Sequence, residues 1–164
     1  MLTARLTKQI KKQQGFTLIE LLVVIGILAV LLAITLIAIN PAKQFSQAND
    51  TKRRSDVNAI LNAIDQFAAD NAGKLPATAT AISATPTLIG TGANEIDICS
   101  FLVTTYLAAL PSDPTTGNPT GQIPSTCAAP YETGYKVSKS AADNRVTVQA
   151  VSEINPGTPI SVTR

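Results

Sequence analysis

Residues 11–20 read Lys11-Lys12-Gln13-Gln14-Gly15-Phe16-Thr17-Leu18-Ile19-Glu20, and from Leu21 to Ile39 the chain continues without a charge. As a helix rising about 1.5 Å per residue, Phe16 to Ile39 spans roughly 36 Å, enough to cross a hydrocarbon core of about 30 Å. Ahead of it stand Arg5, Lys8, Lys11 and Lys12 with no acid among them. Positive residues stay on the cytoplasmic side, so this cluster predicts an N-terminus inside and everything after Asn40 outside. A secretory signal places its cleavage site after the apolar core, whereas the small residue here, Gly15, precedes it. Cutting after Gly15 would remove a basic leader and leave the anchor on the mature chain.

Glu20 does not fit a plain anchor. A lone carboxylate in a membrane helix costs on the order of a few kcal/mol or more, so it needs a partner. If the chain is cut after Gly15, the new α-amino group on Phe16 is a cation four residues away, and a neighbouring copy's amino group would serve equally. The alternative is that Glu20 lies in the headgroup region and snorkels.

The run from Lys11 to Glu20, followed by an uninterrupted apolar stretch, resembles the class III signal of type IV pilins and type II secretion pseudopilins. That resemblance implies cleavage after Gly15 by a membrane-embedded prepilin peptidase, methylation of Phe16 by the same peptidase/methyltransferase, and a role for Glu20 in subunit registration. It also implies a homo-oligomeric filament built on an inner-membrane assembly platform with a separate ATPase. The chain itself carries no Gly-rich phosphate loop. The resemblance is strong over the leader and about the first 55 mature residues, and architectural beyond. One departure is Ile37, where many members place a proline; the nearest proline here is Pro41. A kink or melted segment is therefore expected at Asn40-Pro41.

Beyond Pro41, Val57, Ile60, Leu61, Ile64, Phe67 and Ala68 follow the spacing of one helix face, with Asn58, Asn62, Asp65, Gln66 and Asp70 between them. Gly73 and Pro76 supply a stop. The expectation is one long helix, kinked near Pro41, from Phe16 to about Asn71. Lys52-Arg53-Arg54, flanked by Asp50 and Asp56, reads as a solvated or subunit-contacting face. Gly73 to Asn94 is Ala-, Thr- and Pro-rich and reads as a long connection with at most short pieces of structure. Ile96 to Leu110 has the spacing of a short helix ending at Pro111, and Pro111 to Pro130 is turn-dense. Three short antiparallel strands are expected around Tyr135–Val137, Val146–Ala150 and Ile160–Val162, their apolar face against the Val57–Phe67 stripe. The fold class is α+β, a type IV pilin-like ladle with a long helix packed on a small antiparallel sheet. It divides into leader 1–15, membrane helix 16–39, amphipathic helix 40–72 and head 73–164.

The total of 13 bases against 11 acids gives +2, but four of those bases lie in the leader, leaving 9 against 11 and a net −2. That remainder lacks the basic stripe of a nucleic-acid-binding face. There is no histidine. No nucleophile has a base partner, so no catalytic residue, cofactor or metal is assigned. Asp113, Thr115 and Asn118 are oxygen ligands in a turn, but one carboxylate is too little for calcium. Cys99 and Cys127 are expected to pair outside the cytoplasm; two buried thiols are the alternative. Function reads as a structural subunit of a type IV pilus-like filament, with a pseudopilin of a type II secretion or DNA-uptake system as the alternative. Outside the family, a membrane-anchored binding domain or hydrolase would need no Gly-Phe-Thr-Leu-Ile-Glu sequence.

Overall fold

The computed structural model describes residues 15–76, 81–117, 126–128 and 130–164. The leader cations Arg5, Lys8, Lys11 and Lys12, and Asn118, lie outside them. The chain divides into two compact units; one ends at Pro41 and the other is Ala42–Arg164.

In the first unit, α1 runs Leu18–Ile39, 22 residues. Apart from Glu20 and Thr35 it is apolar all round, and none of it is buried. A helix of that kind needs a lipid or protein environment on every side. At the far end Asn40 is left-handed, φ 46°, and Pro41 opens the next helix, α2, Pro41–Asp70. The break has a direct cause. Proline disfavours helical geometry in the residue before it and has no N–H to give to Ile37, while asparagine tolerates the left-handed region. The expected single helix is thus two, interrupted at Asn40.

In the second unit, burial on α2 begins at Asp50 and follows Arg53, Val57, Ile60, Leu61, Ala63 and Ile64. The helix closes with Ala72 left-handed and the Gly73 N–H returning to the Ala68 carbonyl at 2.8 Å. A four-stranded antiparallel sheet follows, in spatial order β1 (Thr87–Gly90), β2 (Glu132–Lys139), β3 (Val146–Ala150) and β4 (Ile160–Thr163). Thr133, Tyr135 and Val137 of β2 and Val146, Val148 and Ala150 of β3 are buried, alternating with more exposed residues. All of these but Thr133 share one hydrophobic core with the α2 stripe. The three strands expected from alternation are present; β1 is additional.

The segment Ile96–Leu110 corrects the expectation of a helix. Only one turn forms, α3, Cys99–Leu102. Val103, Thr104 and Thr105 are β-branched, which disfavours continuation. Thr104 turns left-handed at φ 72°, and the Leu107 N–H bonds back to the Leu102 carbonyl. The apolar side chains still reach the helix: Phe101 and Tyr106 stack edge-on against Phe67 of α2 at 5.7 and 6.0 Å.

Cys99 and Cys127 form a disulfide across a separation of 28 residues, with Cα atoms 5.6 Å apart. In the chain-entropy account a loop of that length stabilises by about 3 to 4 kcal/mol. Reduction should lower the midpoint of head unfolding by roughly 10–20 °C. Melts of the detergent-solubilised chain with and without a thiol reductant measure this, and a shift under a few degrees would mean the loop is held by its other contacts alone.

Candidate functional site

The first unit opens with a polar clasp at the mouth of an apolar helix. Thr17 is the N-cap of α1, and Glu20 stands three residues on. Thr17 donates its backbone N–H and its hydroxyl to Glu20 Oε2, at 2.8 and 2.7 Å. The Glu20 N–H donates in turn to the Thr17 hydroxyl at 3.3 Å. This is a reciprocal capping box, which satisfies two N–H groups that a helix start otherwise leaves without partners. The carboxylate also sits at the positive end of the helix dipole. Sequence reasoning placed Glu20 but missed this partner, although Thr-x-x-Glu before an apolar run is the written signature of the motif. Gly15 and Phe16 precede the helix and are exposed, Phe16 at 92%. The two residues flanking the expected cut are thus accessible and outside any regular element.

In the second unit a different polar cluster holds the head together. Arg53 is 2% exposed and Asp113 is 3% exposed, which corrects, at Arg53, the reading of Lys52-Arg53-Arg54 as a solvated or subunit-contacting face. Arg53 donates Nε–H to Asp113 Oδ2 at 2.6 Å, Nη2 to Asp113 Oδ1 at 3.1 Å, and Nη1 to Asp50 Oδ1 at 2.9 Å. Nη2 also reaches the Thr115 hydroxyl at 2.6 Å and Glu153 Oε1 at 2.8 Å. Asp50 accepts from the Ser152 hydroxyl and from the Glu153 and Ile154 N–H groups. One guanidinium therefore ties α2 to the 113–115 turn and to the chain after β3. The turn can lie close only because Gly134, φ +78°, has no side chain; a Cβ there would come 2.7 Å from the Asp113 Cβ. Beside the cluster, Asp56 of α2 accepts from the Tyr135 hydroxyl at 2.6 Å and pairs with Lys52.

The signal for Arg53 was present in the sequence. Extending the Val57–Ile60–Ile64 stripe backwards in steps of four and three lands on Arg53 and then Asp50, so the charged pair had to lie on the buried face. Asp113, weighed as a calcium ligand, has both carboxylate oxygens bonded to Arg53. Its Oδ1 also accepts from the Thr115 and Thr116 N–H groups. Among the described residues no group of three or more metal-ligating side chains converges.

Burial pushes the Asp50 carboxyl up, but hydrogen bonds from Ser152, Glu153, Arg53 and Ile154 outweigh it and hold it at about 2, below its ordinary 3.8. Burial likewise pushes the Asp113 carboxyl up, but hydrogen bonds from Arg53 and from the Thr115 and Thr116 N–H groups outweigh it and hold it well below its ordinary value. Groups with depressed values in the folded state contribute stability that is complete above the unfolded value and lost as pH falls through the folded one. The head should therefore keep a constant melting temperature from pH 7 to about 4 and lose it between about 4 and 2. A pH series of thermal melts checks this; a marked decline already above pH 5 would contradict it.

These two sites sit in a chain whose residues 10–36 match the family described as the prokaryotic N-terminal methylation motif. The chain is also 34% identical over 111 residues to the type II secretion system core protein G of Aeromonas hydrophila, covering 68% of this chain and 73% of that protein. No solved structure matches it. An apolar N-terminal helix, a small antiparallel sheet and this methylation motif together define a pilin-like protein. The chain belongs to the type IV pilin and pseudopilin family.

Proposed function

We propose that this chain is a filament subunit of the pseudopilus kind, made as a precursor, cut after Gly15, methylated at Phe16, and stacked through its N-terminal helix. The observation that carries this is the juxtaposition of an exposed Gly15-Phe16 junction, a capped Glu20 and a helix with no buried residue of its own. At 22 residues α1 has the length to cross a bilayer. It would hold the subunit in the cytoplasmic membrane with its N-terminus inside and the head outside, as the leader charges favour.

Glu20 would serve two partners in turn. Before assembly Thr17 neutralises part of its cost in the membrane. Cleavage then creates an α-amino cation on Phe16, adjacent to the Thr17 donor, and a neighbouring copy's amine competes for the carboxylate. A charged partner gives the stronger bond in a medium of low dielectric. Extraction from the bilayer needs work that the subunit has no motif to supply, so an inner-membrane platform with its own ATPase is the fitting partner, alongside the prepilin peptidase.

Of the two filament readings, the secretion-system relative favours a pseudopilus over a surface pilus. Separation of sheared surface material from membranes tests the choice. A pseudopilin stays with the membranes, whereas abundant chain in the sheared fraction would make it a pilus subunit.

A further inference from the structure

The sheet of the head has two unlike ends. At one end β4 is the last strand, and the Val146 and Arg164 backbones exchange both hydrogen bonds. In an antiparallel ladder such pairs alternate with non-bonded ones, so Val162 and Ile160 bond to β3. Ser161 and Thr163 turn their N–H and C=O groups outward. A groove of about 440 Å³ runs between this edge and α2, lined among others by Arg54, Asn58, Asn155, Ser161 and Val162. Arg54 is exposed and is the only charged residue among the described ones that line it.

The other end is closed as a strand edge and opposite in charge. Ile96 covers β1, donating its N–H to the Leu88 carbonyl at 2.8 Å and accepting from the Gly90 N–H at 3.1 Å. Beside it the turn 91–95 and the start of β2 enclose a cleft of about 360 Å³, lined among others by Thr91, Tyr131, Glu95 and Glu132. Its charged lining residues, among the described ones, are those two acids. Glu132 is exposed, and Glu95 is half-buried, with Oε2 accepting from the Gly92 N–H at 2.7 Å.

We infer that these two ends are complementary docking surfaces for successive copies of this chain, with Arg54 of one copy entering the acidic cleft between Glu95 and Glu132 of the next. The inference rests on the filament reading above. A planar guanidinium suits paired carboxylates better than a point cation does. The alternatives repel: joining two β4 ends sets Arg54 against Arg54, and joining two β1 ends sets four carboxylates together. Like charges brought together suppress wrong pairings as effectively as opposite charges favour right ones. Because the two surfaces lie at opposite ends of one sheet, the contact is head-to-tail, the kind of contact that a filament repeats.

The test uses the full chain in cells that assemble it, reading filament yield after chemical cross-linking. Arg54→Glu, which sets an acid against both carboxylates, should lower the yield about tenfold, and Glu132→Arg should lower it less. The double variant Arg54→Glu/Glu132→Arg should recover part of the loss seen with Arg54→Glu, because the acid at position 54 then meets an arginine beside Glu95 in place of two carboxylates. Both residues are exposed, so melting temperatures should stay at the wild-type value. Wild-type yield from Arg54→Glu, or a double variant no better than Arg54→Glu alone, overturns the docking pair and leaves the filament reading intact. Absence of filaments from the wild-type chain overturns the filament reading, and this inference with it.

Discussion

Replacing Arg53 with Met should destabilise the head by about 3 to 5 kcal/mol, the cost of leaving buried carboxylates without their cation. Asp50 and Asp113 are each 3% exposed, and Glu153 shares the same guanidinium. Methionine keeps much of the volume and the unbranched stem, so the loss would be one of charge and hydrogen bonds rather than packing. The pH response should also weaken. With Arg53 gone the folded-state carboxyls rise toward their unfolded values, Asp113 most, because Asp50 keeps its bonds from Ser152, Glu153 and Ile154. Less stability is then left to lose on acidification, and the variant should lose less between pH 7 and about pH 3 than the wild type does. Adding Asp50→Asn and Asp113→Asn should recover part of the stability, since an intact buried cluster and a neutral one can be similar in net worth. Denaturant melts of the solubilised chain at both pH values measure all three. A loss below about 1 kcal/mol for Arg53→Met would place the cluster among ion pairs of little consequence.

The second large effect concerns Glu20, and two substitutions separate its two roles. Glu20→Gln retains an acceptor at the third helical position and so retains the capping box. Glu20→Ala removes both the cap and the charge. If the proposed pairing with a neighbour's Phe16 amine drives stacking, both variants should insert into the membrane normally and both should fail to join wild-type subunits. A coupling of about 2 kcal/mol at each contact corresponds to roughly thirtyfold in each addition step. Normal incorporation of Glu20→Gln alongside failure of Glu20→Ala would mean that the cap, and not the charge, is what assembly requires. Co-expression of tagged variants with wild-type chain, followed by counting each in cross-linked filaments, gives the ratio.

How much of this was legible depends on whether a feature repeats. The uncharged stretch from Leu21 to Ile39 and the alternation at Tyr135–Val137 and Val146–Ala150 repeat over several residues, and both became the elements they suggest. β1 is four residues, Thr-Leu-Ile-Gly, with an irregular register between Leu88 and Gly90. No period can be read from so short a run inside a Thr- and Ala-rich segment. Ile96–Leu110 has helical spacing, yet the β-branched run 103–105 and the tether at Cys99 prevailed locally. At the candidate site, Gly15, Phe16 and Glu20, the residues of the proposed cut, methylation and docking, could be singled out because they lie in one short stretch of sequence. The Arg53 cluster joins residues 50, 53, 113 and 153, and only its two helix members share a local pattern. Proline at position 41 marked the helix break correctly, because its effect on the preceding residue is local and steric.

The claim on which the rest stands is that this chain becomes a filament subunit by losing its leader and keeping its anchor. Intact mass of the protein recovered from membranes tests it most directly. The expected species begins at Phe16 and carries one added methyl group, with the Cys99–Cys127 bond intact until reduction. A chain that retains the residues before Phe16 would contradict the claim, and would leave a family member anchored by α1 but not made ready to stack.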